Sequence, residues 1–406
     1  MRFPVEQILD LPGMKVLGCQ EIEGLGLIIE IEAAINYCTC HKCGRVSRTI
    51  HQNHWRTVKD IPWNTKQVLL RINRRQFKCK SCLKPFSEGL EFMDKHKGYT
   101  KRFAAHIIKQ VLDSNIHSVA ERNDLTDEEV QSMLDSQASS LLKIDLTRLK
   151  RLGIDEIALV KGQGNYLAVL VDLDTHLLIE IVKSRRMLEL RSVFEKWGSE
   201  VLGQITEVSI DLWSPYKNIV EELMPNADVT ADRFHVMKQV NDELDAMRKA
   251  ERKAAEQLKN KAEKKIILSG LTKSKYSLLK NEDSLNDIQE AKLKSVQSVS
   301  PILSKMHALK EDFRDIFETA ESWGDGVTNL LDWMHDALLY FPKSIGTIVR
   351  WFGEVVGYFE NRTTSGVIEG INNKLKLIKR LGYGFRNFDN FRLRSLLSWH
   401  FNSDLA

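Results

Sequence analysis

The sequence predicts a multidomain α+β protein with a cysteine-paired front, a helical module, and a strand–helix core interrupted by an all-helical stretch. Three observations predict it. Two C-x-x-C pairs flank a strand-forming segment near the N-terminus. From Leu152 onward, three strand patterns are followed by alternating helix and strand patterns. After Val236 the strand patterns stop for about a hundred residues, and apolar positions recur at helical spacing.

Length and composition bound the rest. At 406 residues the chain exceeds one small core, so roughly two to four domains are expected. It is 43% hydrophobic and 28% charged, ordinary for a water-soluble chain, and no apolar run is long enough to span a bilayer. No membrane partner is expected. The opening residues lack the apolar core of a signal peptide, which predicts a cytoplasmic location. The net charge of +4 hides two clusters: residues 40–110 hold 17 Lys/Arg against 4 Asp/Glu, and residues 371–394 hold 7 against 1. Such clustering in a nearly neutral chain points to extended contact with a polyanion.

Taken in order, residues 14–17 and 27–32 read as short strands with glycines at the turns. Cys40-His-Lys-Cys43 and Cys79-Lys-Ser-Cys82 then supply four thiolates in two turns, the arrangement of a tetrahedral zinc ribbon. The 35 residues between the pairs exceed the usual ribbon spacing, so the insert should form strands of its own, with Val68-Leu-Leu-Arg-Ile-Asn as a candidate. In the cytosol a disulfide is disfavoured, which strengthens the reading of one structural zinc. Cys38 could replace Cys40, and Cys19 is expected in the core.

Residues 99–142 read as helices. Phe103, Ile107, Ile108 and Val111 make one apolar face, and residues 118–134 have a helix–turn–helix rhythm with Thr126 as N-cap. Residues 121–135 carry six acidic side chains and one basic, poor chemistry against phosphates. A DNA-reading pair and a helical connector both stay open.

Strands follow at residues 152–159, 166–172, 177–182, 205–211 and 228–232, with helices after the third and fourth and a Gly-rich turn at residues 161–165. Three meandering strands and then α-β-α-β is the order of an RNase H-like core. In that order the first and fourth strands are neighbours, so Asp155 and Asp211 should meet. A register slip of one would substitute Glu156 for Asp155. Residues 241–264 read as one charged helix opening the all-helical insertion. Residues 365–380 read as a helix with Ile368, Ile371, Leu375 and Ile378 on its buried face. Glu369, Asn373, Lys376 and Arg380 fall on a different, polar face. A carboxylate at the head of a basic stripe suits a helix that holds a metal at one end and follows a phosphate backbone with the rest.

Asp155, Asp211 and Glu369 converging could bind two Mg²⁺ or Mn²⁺ ions about 4 Å apart, which is what phosphodiester hydrolysis and transesterification need. Lys376, Lys379, Arg380, Arg386, Arg392 and Arg394 are the candidate DNA contacts.

The paired cysteines ending in Phe86-Ser-Glu, Ile154-Asp-Glu, Ala231-Asp-Arg-Phe-His, Glu369-Gly-Ile-Asn-Asn-Lys-Leu-Lys-Leu-Ile-Lys-Arg and Tyr383-Gly-Phe-Arg-Asn-Phe-Asp-Asn-Phe-Arg-Leu-Arg together resemble the ISL-three family of bacterial insertion-sequence transposases, a branch of the DDE transposases. The resemblance runs nearly end to end. It implies a DNA transposase that binds the terminal inverted repeats of its element, cuts at the ends, joins them to target DNA, and works as a homodimer at the nucleoid. It also implies the triad Asp155, Asp211 and Glu369, with Asp232 and His235 in a supporting part. The expected division is residues 1–95 zinc ribbon, 96–147 helix-turn-helix-like module, 148–236 and 346–406 the two parts of the RNase H-like core, and 237–345 the insertion. The alternatives are a DNA-binding protein of the same origin without catalysis, and a nuclease with the same metal site that joins no strands.

Overall fold

The computed structural model describes residues 5–141, 144–160, 164, 166–363, 366–385 and 387–401. Arg386 and all of the Gly-rich turn except Gly164 lie outside the described residues. The chain forms two compact units. The first is Met1–Lys143 with Ile378–Gly384 and Leu393–Ala406, and the second is Ile144–Leu377 with Phe385–Arg392.

The first unit opens with α1 (Val5–Leu9), β1 (Met14–Ile22) and β2 (Gly26–Ala33), followed by the small pair β3 (Cys38–Thr39) and β4 (Val46–Ser47). A long hairpin comes next, β5 (Ile50–Trp63) and β6 (Lys66–Lys78), then β7 (Pro85–Ser87). The sheet runs β1-β2-β6-β5, with β7 also on β6. Alternate residues of one face (Ile29, Ile31, Val58, Val68, Leu70, Ile72) are buried together. The insert between the cysteine pairs is thus mostly hairpin, far longer than residues 68–73. Ile50-His-Gln-Asn-His-Trp gives no strand pattern by itself, and it becomes a strand by pairing with β6. Cys19 lies exposed on β1, not in the core, at the end of the strand where residues 19–22 are all exposed.

Three helices follow, α2 (Lys101–Leu112), α3 (Ile116–Arg122) and α4 (Asp127–Leu141). Thr100 caps α2 and Asn115 caps α3 through their side-chain oxygens. Thr126 and Glu129 close a reciprocal capping box at α4, with Glu129 N donating to Thr126 Oγ1 at 3.1 Å. The apolar face of α2 packs with Val119, Val130, Met133 and Leu134, and the last helix of the chain adds Leu393 and Leu397 to that core.

The second unit holds β8 (Arg151–Ala158), β9 (Tyr166–Asp172), β10 (Leu177–Val182), α5 (Met187–Gln204), β11 (Glu207–Ile210), α6 (Ser214–Leu223) and β12 (Asp228–Ala231). Its sheet order is β10-β9-β8-β11-β12. The first three strands are antiparallel, while β11 runs parallel to both β8 and β12. Helices α7 (Arg233–Glu256), α8 (Lys261–Leu271), α9 (Lys275–Leu279), α10 (Asp287–Val299), α11 (Pro301–Thr319), α12 (Trp323–Ala337), α13 (Pro342–Arg350) and α14 (Phe352–Asn361) come next. The charged stretch expected as one helix over 241–264 is two. α7 begins earlier, capped by Asp232, and Asn260 starts α8 by accepting from Ala262 N and Glu263 N. Sheet residues such as Ile154, Leu170 and Ile210 share a continuous apolar core with Phe313, Phe317, Trp333 and Phe341 of the helices. The chain closes with α15 (Gly366–Leu381) and α16 (Phe388–His400). All four apolar positions read on α15 are buried.

Candidate active site and metal centres

Strand register builds the acidic site. Ile154 of β8 pairs with Ile210 of β11, and Ile210 pairs with Ala231 of β12. One residue further along each of these three adjacent strands stand Asp155, Asp211 and Asp232, so the pairing sets three carboxylates in a row. Asp155 and Asp232 are buried. His235, in the first turn of α7, reaches back between the last two. Its Nδ1 is 2.9 Å from Asp211 Oδ1 and 3.3 Å from Asp232 Oδ2. Ligand atoms of Asp155, Asp211 and His235 all lie within 4.8 Å of one another.

The electrostatics follow from crowding. Burial, with the Asp211 charge adding to it, pushes Asp155 up to about 7. Burial pulls His235 down, but the Asp211 and Asp232 carboxylates outweigh it and raise the imidazole to about 10. The imidazolium neutralises part of the acidic row. Asp211 Oδ1 is buried without a well-aligned hydrogen bond, an acceptor with capacity to spare. Carboxylate oxygens with such a vacancy suit a hard divalent cation.

Asp155 is fixed from two sides: Glu156 N donates to its Oδ1 at 2.7 Å and the Asn372 amide donates to its Oδ2. Gly153 makes the second bond reachable. A Cβ there would stand 2.9 Å from the side-chain tips of Ile368 and Leu173, so bare backbone eases the close packing of α15 on β8. Glu156 points the other way, bound by Arg185 at 2.9 Å and by the Tyr216 hydroxyl at 3.3 Å. The register that would exchange it for Asp155 is not the one formed. Glu369 is not among the grouped ligands; it sits exposed in the first turn of α15, one turn before Asn372. Asn372 had no role from the sequence, although its place three residues after Glu369 on one helix was the available clue.

The four cysteines form the second centre. Their sulfurs all lie within 4.8 Å of one another, with Cys43 Sγ 3.6 Å from Cys79 Sγ. A tetrahedral Zn–thiolate site has sulfur–sulfur edges of roughly 3.8 Å. Each pair sits in a tight turn followed by a left-handed residue, Gly44 (φ 72°) or Leu83 (φ 53°). Cys40 N donates to Arg45 O, and Cys79 N to Lys84 O. Backbone N–H bonding, led by Cys82, lowers Cys79 to about 7, while crowding led by Cys43 pushes Cys82 up to about 12. Cys38 stands outside the group, since its place on β3 sets it before the turn.

The basic candidates separate. Lys376 and Arg380 are exposed on α15, and Lys379 is half-buried. Arg392 is engaged with Glu180, its Nε 2.6 Å from Oε1. Arg394 is 4% exposed and donates to the Ser114 carbonyl, and burial lowers its guanidinium to about 10. Arg394, expected at DNA, is spent inside the fold, whereas Arg392 is half-buried in its ion pair with Glu180. Among the described residues no helix is long and apolar enough to cross a membrane.

Comparison with known proteins agrees along the chain. Residues 152–395 match the DDE family model of ISL3 described as a transposase. Residues 88–138 match the helix-turn-helix domain of transposase family ISL3. Residues 37–82 match the zinc-finger of transposase IS204/IS1001/IS1096/IS1165. The transposase for insertion sequence element IS1001 of Bordetella parapertussis is 26% identical over 95% of both chains. The transposase for IS1557 of Mycobacterium tuberculosis is 26% identical over 86% of this chain and 82% of its own. The chain belongs to the transposase family ISL3.

Proposed function

We propose that this member of the ISL3 transposases cuts and rejoins DNA at the ends of its own insertion sequence, using the acidic row of the second unit. The observation that carries the reading is the register Ile154–Ile210–Ala231, which aligns Asp155, Asp211 and Asp232 and brings ligand atoms of Asp155, Asp211 and His235 within 4.8 Å of one another. The strand order, with helices α7 to α14 between the second and third acids, supports an RNase H-like core split by a helical insertion. Asp155 and Asp211 would hold the divalent cation, Mg²⁺ or Mn²⁺, with Glu369 as the third carboxylate of the set. The bound ions supply charge neutralisation for an in-line displacement at phosphorus. Asp232 caps α7 through Phe234 N at 2.8 Å and orients His235. While cation is absent, the His235 imidazolium takes up part of the row's negative charge.

Lys376, Lys379 and Arg380 lie on the helix that carries Glu369 and follow the phosphate backbone of the terminal inverted repeat. Cys40, Cys43, Cys79 and Cys82 hold one structural zinc that shapes the N-terminal DNA-binding region. Two element ends must be processed together, so the working form is a homodimer at the nucleoid. The test is incubation with the element's own flanking DNA and Mg²⁺ or Mn²⁺, mapping cuts and joined products. Cuts at the element ends with transfer of 3′-hydroxyls support the reading. Cuts without joining reduce it to a nuclease, and binding without cuts removes catalysis.

A further inference from the structure

The acidic row has a neighbour outside the carboxylate set. Asn372 is 7% exposed, donates its amide to Asp155 Oδ2, and leaves its own Oδ1 buried without a partner. A buried carbonyl oxygen lacking a donor costs roughly 1–3 kcal/mol, so a side chain serving only to brace Asp155 would be expected to have that oxygen satisfied too. Two buried acceptor oxygens adjoin here, Asn372 Oδ1 with no partner and Asp211 Oδ1 with the His235 imidazole 2.9 Å away. They belong to residues that respectively touch Asp155 and lie in ligand range of it. A hydrated cation supplies water O–H donors for Asn372 Oδ1 and a further positive partner for the Asp211 carboxylate.

We propose that Asn372 is a positioning residue of the metal site: Nδ2 fixes the rotamer of Asp155, and Oδ1 accepts from the hydration shell of the cation held by Asp155 and Asp211. This rests on the metal reading above and adds a residue to it. The same bond ties α15 to β8 where Gly153 receives Ile368. One turn of the same helix separates this fixed point from Glu369. The side chain has the right reach, because it meets a carboxylate already anchored by Glu156 N. Partners of this kind typically change metal affinity 10–100-fold when removed.

The experiment is Mn²⁺ titration by calorimetry on the full-length chain, with melting curves recorded with and without Mn²⁺. Wild type, Asp155→Asn, Asn372→Leu and Asn372→Ser are compared. Binding by wild type that Asp155→Asn abolishes establishes the metal site independently of Asn372; no binding by wild type removes the metal reading and the proposal with it. Given binding, Asn372→Leu is expected to weaken Mn²⁺ at least about tenfold and shrink the metal-induced rise in melting temperature. A merely structural residue would lower both melting temperatures together and leave their difference unchanged. Asn372→Ser, which is small, polar and ends its hydroxyl one bond short of the amide's nitrogen and oxygen, gives the same reading if the leucine variant fails to fold. Mn²⁺ affinity within about twofold of wild type in the folded variant overturns the proposal.

Discussion

The cysteine centre and the carboxylate centre both crowd anionic ligands, and they are completed in opposite ways. Four sulfurs come from two short turns, each closed by its own backbone bonds and a left-handed residue. Nothing else in the fold needs to approach. The carboxylates come from three strands distant in sequence, and the protein supplies its own partial counter-charge in His235. A third buried cluster shows the limit of that device. Lys310 is buried among helices against Glu311, and its Nζ donates to the carbonyls of Leu278 at 3.2 Å and Lys280 at 2.7 Å. There the chain provides the cation itself. The acidic row is the intermediate case, partly neutralised by His235, as a site that must take and release ions requires.

The sharpest break in this comparison is removal of one ligand from each centre. In the closed centre, Cys79→Ser should take the chain from about one bound zinc to none and melt the N-terminal region. Metal analysis with circular dichroism reads it, and Cys38→Ser should change neither. Retained zinc in the Cys79 variant would place the metal elsewhere.

In the open centre, losing a ligand should spare the fold and remove the chemistry. Asp155→Asn, Asp211→Asn and Glu369→Gln should each slow cleavage of a labelled terminal fragment at least about a thousandfold, roughly 4 kcal/mol of lost transition-state stabilisation. Gel-shift binding in Ca²⁺ should stay close to wild type, because the acids oppose DNA until cations neutralise them. Asp232→Asn should cost less, and an equal loss would make it a direct ligand.

The counter-charge predicts a pH dependence of smaller size. Asp155 is raised to about 7, so its contribution to stability is full below the ordinary carboxylate range and lost as pH rises through 7. His235 is raised to about 10, so its contribution is full below about 6.5 and lost as pH climbs through 10. Both slopes have one sign. The melting temperature of the metal-free chain should lose these contributions from about pH 4 to 10, and added Mg²⁺ or Mn²⁺ should raise it most at the upper end. His235→Gln should flatten the upper part of the curve; an unchanged curve would show that the histidine is not the counter-cation.

The mildest effect belongs to the exposed stripe. Lys376→Ala should weaken binding about equally on any DNA and reduce the salt slope by about one unit. Loss confined to the cognate terminus would make α15 a sequence reader. Arg394→Ala should instead lower thermal stability, since its guanidinium serves the Ser114 carbonyl.

Much of this was written locally. Strands β9 and β10 and the start of α5 stand where alternation and apolar runs put them, because those patterns arise within a few residues. The two cysteine turns were equally legible, since each pair and its left-handed residue fit in one short segment. So was the buried face of α15, carried by a period of 3.6 residues. What the linear chain could not hold was decided by pairing between distant segments. The polar half of β5 is a strand only because β6 lies beside it, and the three aspartates are level only through the register of β8, β11 and β12. Arg392 and Arg394 share their charge and neighbourhood in sequence with Arg380, yet Arg394 is buried, Arg392 is half-buried in its ion pair and Arg380 faces solvent. Asn372 meets Asp155 across 217 residues, because a glycine in one segment makes room for a helix in another. Sequence fixed which groups could bind metal or phosphate; the tertiary structure decided which of them meet, since desolvation and hydrogen bonding act between neighbours in space.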